Sequence, residues 1–158
     1  WKSRTRRERP EHQLSVFGAV TVADARYVSI RENIRTEIQA DVRVGNVVPF
    51  APSFIGRGGV VFKSGGWRAA YQTSYTSLQY SDAANSNSRR EPTATLAPVF
   101  AYYVMDFSLS YQHRAFTFEG SVNNLTDHRY FTRRAESYPG PGIIPADGRA
   151  FYLTVQYQ

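Results

Sequence analysis

Residues 103–111 read Tyr-Val-Met-Asp-Phe-Ser-Leu-Ser-Tyr. Tyr103, Met105, Phe107, Leu109 and Tyr111 share one parity, and Val104, Asp106, Ser108 and Ser110 share the other. A side-chain period of two with one greasy and one wet face is a β-strand. The pattern repeats outward from this stretch. Phe116, Phe118, Gly120 and Val122 alternate with Thr117, Glu119, Ser121 and Asn123. Trp67, Ala69, Tyr71, Thr73 and Tyr75 alternate with Arg68, Ala70, Gln72, Ser74 and Thr76. Phe151, Leu153, Val155 and Tyr157 close the chain in the same phase. Two weaker strands precede these: Phe54, Val60 and Phe62 share a parity with Gly56 and Gly58, and residues 14–27 are apolar and β-branched, with a parity that is ambiguous around Phe17. No segment of comparable strength has helical periodicity, so the chain reads as all-β, with about six strands.

The connections fall into two kinds. Lys63-Ser64-Gly65-Gly66 and Gln112-His113-Arg114-Ala115 are tight turns, whereas residues 31–50, 81–102 and 127–148 are long and polar. Long and short alternate strictly, which places every long connection at one end. A soluble sandwich has no reason to do this; an outer-membrane barrel does, having short turns on the periplasmic side and long loops outside. The greasy faces carry no Asp, Glu, Lys or Arg, while Arg57, Arg68, Asp106 and Glu119 take the opposite parity. Charge on a lipid face costs roughly 2–4 kcal/mol near the midplane. Phe62, Trp67, Tyr111, Phe116 and Tyr157 lie beside short turns or the C-terminus, where an interfacial aromatic girdle belongs. The expected fold is an antiparallel transmembrane β-barrel segment. A small complete outer-membrane barrel and a soluble β-sandwich or lipocalin-like binder are the alternatives.

Composition removes other classes. The 158 residues hold no cysteine, which eliminates disulfides, thiolate metal sites and a cysteine nucleophile. No apolar run approaches the ~18 residues of a membrane helix. His12, His113 and His128 are far apart, without a partner at metal-ligand spacing, and no nucleophile elbow or phosphate loop occurs, so neither a metal site nor an enzyme is expected. The net charge of +6 includes a basic run at Arg4, Arg6, Arg7 and Arg9. Aromatics and basic groups lie on opposite parities, so nucleic acid is not an expected partner.

The ends suggest a piece of something larger or processed. The chain opens on Trp1 with a basic, polar stretch and shows no signal peptide. It stops at Gln158, where the next residue of the lipid-facing phase would be an aromatic, and one further residue, a Phe, is expected.

Four stretches, in order, resemble TonB-dependent outer-membrane receptors of the iron-chelate or siderophore type, with a ferric-citrate-like flavour. They are FGAVTVADARYV (residues 17–28), GNVVPFAPSF (45–54), NNLTDHRYF (123–131) and YPGPGIIPADGR (138–149) followed by AFYLTVQYQ. The resemblance implies that residues 1–158 are the C-terminal part of a barrel of about 22 strands with a plugged lumen. The plug domain and the TonB box would then lie elsewhere in the protein. Expected partners are the remaining barrel strands and plug, the TonB complex through the missing part, outer-membrane lipid or lipopolysaccharide, and the barrel-assembly machinery. The expected location is the bacterial outer membrane, with a ferric chelate as cargo and no cofactor bound by the chain itself. Six strands fall below the ~8 needed to close a membrane barrel, so this segment is not expected to transport alone.

Within those motifs Asn123, Asn124, Leu125, Asp127, Tyr130, Pro139, Gly140, Gly142, Gly148 and Arg149 are read as structural. Asn124 and Asp127 can bond local backbone where a ladder ends, and prolines and glycines stiffen or shape the last loop. Arg89, Arg90, Arg133 and Arg134 are the candidate ligand contacts, since guanidinium groups bond carboxylates bidentately. Lipopolysaccharide phosphates or solvent are their other possible partners.

Overall fold

In the computed structural model, residues 12–30, 42–87, 97–135 and 142–158 are described. The elements are β1 (His12–Val22), β2 (Phe54–Ser64), β3 (Trp67–Thr76), β4 (Tyr102–His113), β5 (Phe116–Asn123), β6 (Phe131–Ala135), β7 (Gly142–Pro145) and β8 (Ala150–Tyr157). Six of them form one antiparallel sheet in the order β1-β2-β3-β4-β5-β8. The sheet does not close: β1 and β8 stand at opposite edges, each with one neighbour.

Register settles the parity that the sequence leaves ambiguous. Leu14, Val16, Gly18, Val20 and Val22 pair with Phe62, Val60, Gly58, Gly56 and Phe54, so the even residues of β1 join the greasy face. That face then runs unbroken across the sheet, for example Val16–Val60–Tyr71–Phe107–Val122–Phe151. No Asp, Glu, Lys or Arg interrupts it in any of the six strands. Its aromatics gather at both ends. Near the tight turns, Trp67 lies 4.4 Å from Tyr111 and Phe116 lies 5.1 Å from Tyr157. At the other end, Phe54 meets Tyr75 at 6.0 Å and Tyr103 meets His128 at 4.6 Å. Strands of 8–12 residues suit a tilted crossing of a hydrocarbon layer.

Phe17 is the exception in β1, since it sits on the wet face opposite Gly59. A Cβ at Gly59 would stand 2.5 Å from the Phe17 ring and 2.5 Å from the Tyr71 carbonyl oxygen, so this glycine admits both the ring and the close approach of β3.

The tight turns are two-residue hairpins. Gly65 opens the first with φ 57°, and Arg114 opens the second with φ 53°, a left-handed conformation that costs a non-glycine residue.

The buried core is not in the sheet. Val99 and Pro98 are the largest fully buried side chains, joined by Val42 and Ala97, and all four lie in the long connections. The last long connection, residues 127–148, adds two strands to the six expected. It holds a second, two-stranded antiparallel sheet of β6 and β7. These strands have five and four residues and a register shift between Phe131 and Arg133. That is too short and too irregular for alternation to announce them.

Replacing Gly59 with Ala in the intact protein should lower stability by about 1–3 kcal/mol through overpacking. Adding Phe17→Ala should restore only part of the loss, because the Tyr71 carbonyl remains in place. The urea midpoint of the folded band in micelles measures both variants.

Candidate functional site at the long-loop end of the sheet

The three long connections bond to one another at the long-loop end of the sheet. Beyond β1 and β2 the chain continues as ladder fragments. Ala23 N–H donates to the Ser53 carbonyl at 3.0 Å and Val48 N–H to the Ala25 carbonyl at 2.9 Å. Beyond β3 and β4, Gln79 and Val99 exchange both backbone bonds at 3.1 and 2.8 Å.

Asn85 then joins the first connection to the second. Its Oδ1 accepts from Val47 N–H at 2.7 Å and its Nδ2 donates to the Val47 carbonyl at 2.8 Å. The side-chain amide thus takes the place of a strand partner, and Asn tolerates the φ of 58° found there. Asn46 reinforces the join, its Nδ2 donating to the Ala83 carbonyl at 2.9 Å.

Arg133 and Arg134 tie the third connection in. Arg133 is exposed, with its guanidinium 5.3 Å from the centre of the Phe50 ring. Arg134 is buried, and its Nε and Nη2 donate to the Pro98 carbonyl at 3.3 and 3.2 Å. It also lies 4.8 Å over the Phe131 ring, and burial pulls its pKa down. Arg89, Arg90, Pro139 and Gly140 lie outside the described residues.

NNLTDHRYF forms a clamp where β5 ends. Asn123 is the last residue of β5, paired with Ala150. Asn124 and Asp127 both take φ 50°, which these side chains accept. Asn124 is 3% exposed and satisfied all round. Its N–H donates to Asp106 Oδ1 at 2.9 Å, its Oδ1 accepts from His128 N–H at 2.9 Å, and its Nδ2 donates to the carbonyls of His128 at 3.0 Å and Asp147 at 3.3 Å. Leu125 N–H donates to the Met105 carbonyl at 2.7 Å. Asp127 Oδ1 accepts from Arg149 N–H at 3.0 Å, and its Oδ2 pairs with Arg129 at 3.3 Å. A Cβ at Gly148 would come 3.2 Å from that Oδ1, so a glycine lets the carboxylate reach Arg149. The Arg149 amide holds the Asp127 carboxyl below its ordinary pKa against an opposing effect of burial, with Arg129 assisting. Gly142 opens β7.

Asp106 is the hinge between clamp and sheet. Its second oxygen accepts from Gln72 Nε2 at 3.0 Å. Above it, a depression of about 410 Å³ is lined by Asp106, Asn123, Asn124, Tyr130, Asp147 and Tyr152, among others. Tyr130 stacks on Tyr102 at 4.5 Å. Burial first, then Tyr102, Asp106 and Asp147, push its hydroxyl above the usual tyrosine pKa. The depression is therefore polar, with carboxylates and phenols and, among the described residues, no lining Lys or Arg. No group of three or more potential metal ligands occurs among the described residues.

The motif residues were legible as a unit, but Asp106, Asn85 and Asn46 were not singled out. The run Ser-Asp-Ala-Ala-Asn (81–85) does carry a turn signal. Asp82 accepts from Ser86 N–H at 3.1 Å, as such a turn requires.

No protein-family model matches the chain, and no curated protein does. Solved structures do. The ferric-catecholate import receptor Fiu from E. coli K12, in its closed form, superposes with a TM-score of 0.70 at 20% identity, over 91% of this chain and 18% of its own. The siderophore receptor PiuA from Acinetobacter baumannii gives 0.68 at 21%, over 91% and 19%. The ferric citrate transporter FecA, in its unliganded form, gives 0.66 at 23%, over 75% and 18%. This chain thus spans less than a fifth of each. At these identities the likeness is one of fold: the six-stranded sheet is an open segment of the kind of β-barrel from which such receptors are built. The matches are transport receptors rather than enzymes, and they are of the class that the four sequence motifs resemble.

Two outcomes are expected. Asn85→Ala should speed amide exchange at Val47 several-fold to about tenfold, since the part-buried bonds it removes are worth about 1 kcal/mol or more. Asn85→Gly, which suits the φ but lacks the amide, should do the same. Secondly, a carboxyl with a lowered pKa stabilises above its unfolded value of about 3.9 and loses that contribution as pH falls through its folded value. The Arg149 amide shift should titrate below about pH 4 in the parent, and Asp127→Asn should abolish that titration.

Proposed function

We propose that this chain is the C-terminal part of an outer-membrane receptor that binds ferric chelates outside the cell and imports them with energy delivered by the TonB system. The observation that carries the reading is the uncharged face, in register across all six strands, combined with long connections at one end only. Ferric-chelate import belongs to the structural neighbours by name, and the sequence motifs favour the same class. The soluble sandwich lacks support, because among the described residues no second sheet packs on the six-stranded one. The small closed barrel lacks support because the sheet's edges do not meet.

In this reading the greasy face meets lipid and the wet face lines the lumen. The edges at β1 and β8 pair with further strands of the same receptor, since unpaired backbone groups are not viable in hydrocarbon. The plug occupies the lumen and the barrel-assembly machinery inserts the whole. The joined connections form part of the outer mouth, where the chelate arrives as cargo. Arg133, exposed on Phe50, is the described arginine best placed to meet a carboxylate-bearing chelate or a lipopolysaccharide phosphate. Arg89 and Arg90 belong to the second connection and are proposed for the same role. Arg134 supports the mouth through Pro98. Asn123, Asn124, Leu125, Asp127, Tyr130, Gly148 and Arg149 set the exit of β5 and the approach to β8; Pro139, Gly140 and Gly142 shape the connection between.

The test uses the full-length receptor in its own host. Leu109→Arg should cost roughly 2–4 kcal/mol and remove the heat-modifiable band from outer membranes, whereas Ser110→Arg, one residue along on the wet face, should leave it. Deleting the gene should abolish growth on at least one ferric chelate as sole iron source. Equal tolerance of both arginines would overturn the membrane reading, and unchanged growth on a full chelate panel would overturn the cargo.

A further inference from the structure

The two tight turns are built alike. In each, the first of the two turn residues has a positive φ, Gly65 at 57° and Arg114 at 53°, and the second does not. That position favours glycine, and the first turn has one. The second carries an exposed arginine there, at a conformational cost that glycine would remove. An outlier of this kind points to a use for the side chain. Arg114 pairs with no described carboxylate. The Arg26–Asp24 and Arg129–Asp127 ion pairs are both in long connections, and Glu119 takes the wet face of β5.

The surroundings of Arg114 make the second observation. His113 shares the parity of Tyr111 and so ends β4 on the greasy face, opposite Phe116, which in turn faces Tyr157. Rings continue from His113 to Tyr111 at 6.2 Å and on to Trp67 at 4.4 Å. On the other side Phe116 meets Phe118 at 6.3 Å and Tyr157 at 5.1 Å. His113, Trp67, Phe116 and Tyr157 are all exposed. Imidazole, phenol and indole each carry an N–H or O–H on an apolar body. This rim therefore joins a guanidinium and several hydrogen-bond donors to bare rings, and no Asp or Glu shares its face in the six strands.

We propose that Arg114 and His113 form a headgroup site for an anionic glycerophospholipid, with its phosphate on these two side chains and its acyl chains along Phe116, Phe118 and Tyr157. This rests on the reading of the greasy face as lipid-facing. Two phosphate oxygens match the guanidinium fork, and an imidazole N–H supplies a further bond. Inorganic phosphate would satisfy Arg114 and leave the rings in water. An acidic protein would have to enter the leaflet to cover them. A phospholipid answers both, because rim aromatics sit at headgroup depth and the turn holds the guanidinium beside them.

The test titrates the full-length receptor, stripped of lipid in a non-ionic detergent, with phosphatidylglycerol or phosphatidylcholine, and counts bound lipids by native mass spectrometry. The parent should take up phosphatidylglycerol about tenfold more tightly than phosphatidylcholine at its best site. Arg114→Gly, which suits the φ, should bind one phosphatidylglycerol fewer, with its heat-modifiable band kept and its urea midpoint unchanged or raised. Arg114→Lys, which keeps the charge, should bind more than the glycine variant does. A parent without preference, a glycine variant that binds like the parent, or a lysine variant no better than glycine overturns the site. Lipid A is added as a further arm, and Arg114-dependent uptake of it in place of phosphatidylglycerol overturns the glycerophospholipid as occupant. A receptor with no heat-modifiable band at all counts against the barrel reading itself, so the two failures are distinguishable.

Discussion

Backbone hydrogen bonding between neighbouring strands is the constraint on which the rest of this structure depends. In hydrocarbon an unpaired amide or carbonyl costs several kcal/mol, so every strand needs a neighbour on each side. β2 through β5 have two, whereas β1 and β8 have one each. In the proposed membrane setting the sheet therefore calls for more strands of its own kind. The face proposed to meet lipid has only to be free of charge, and register shows that it is. Antiparallel order makes successive connections alternate between the two ends, which gathers the tight turns at one and the long connections at the other.

A protein built this way has nowhere in its sheet to put an ordinary core. In the membrane reading proposed above, lipid lies on one side and a lumen on the other, so sheet residues bury little against one another. The chain places its core in the connections, around Val99 and Pro98. There, backbone groups that no ladder satisfies find side-chain partners. Asn85 serves Val47, Asn124 serves His128 and Asp147, Asp127 serves Arg149, and Arg134 serves Pro98. Amide, carboxylate and guanidinium groups do this work because each makes directional bonds to a carbonyl or an N–H. The long-connection end thereby becomes one connected body, with Asp106 carrying the connection down into the strands.

The wet face divides its charges in a related way. Asp106 is held by Gln72 and the Asn124 amide within the chain. Lys63 and Arg68, at the tight-turn end, have no described carboxylate to meet.

Much of the fold was legible because a period of two is a local property. Alternation in Tyr103 to Tyr111 marks a strand and its greasy face whatever the neighbours do, and the spacing of turns orders the strands. Phe17 could not be resolved this way, because its residue type suits either face. Only pairing with Gly59, which leaves space for the ring, sends it to the wet side. β6 and β7 escaped for a related reason: strands of five and four residues with a register shift hold too few repeats to establish a period. The four motifs marked where structure would be special, and the turn-forming character of Asn124 and Asp127 was readable in their residue types. The partners of those side chains were not. Arg149 lies 22 residues from Asp127, Val47 lies 38 from Asn85, and Pro98 lies 36 from Arg134. Sequence by itself determined an antiparallel sheet with one uncharged face, because that follows from neighbours along the chain. Tertiary structure alone decided how the loops join, because that depends on groups that only folding brings within hydrogen-bonding reach.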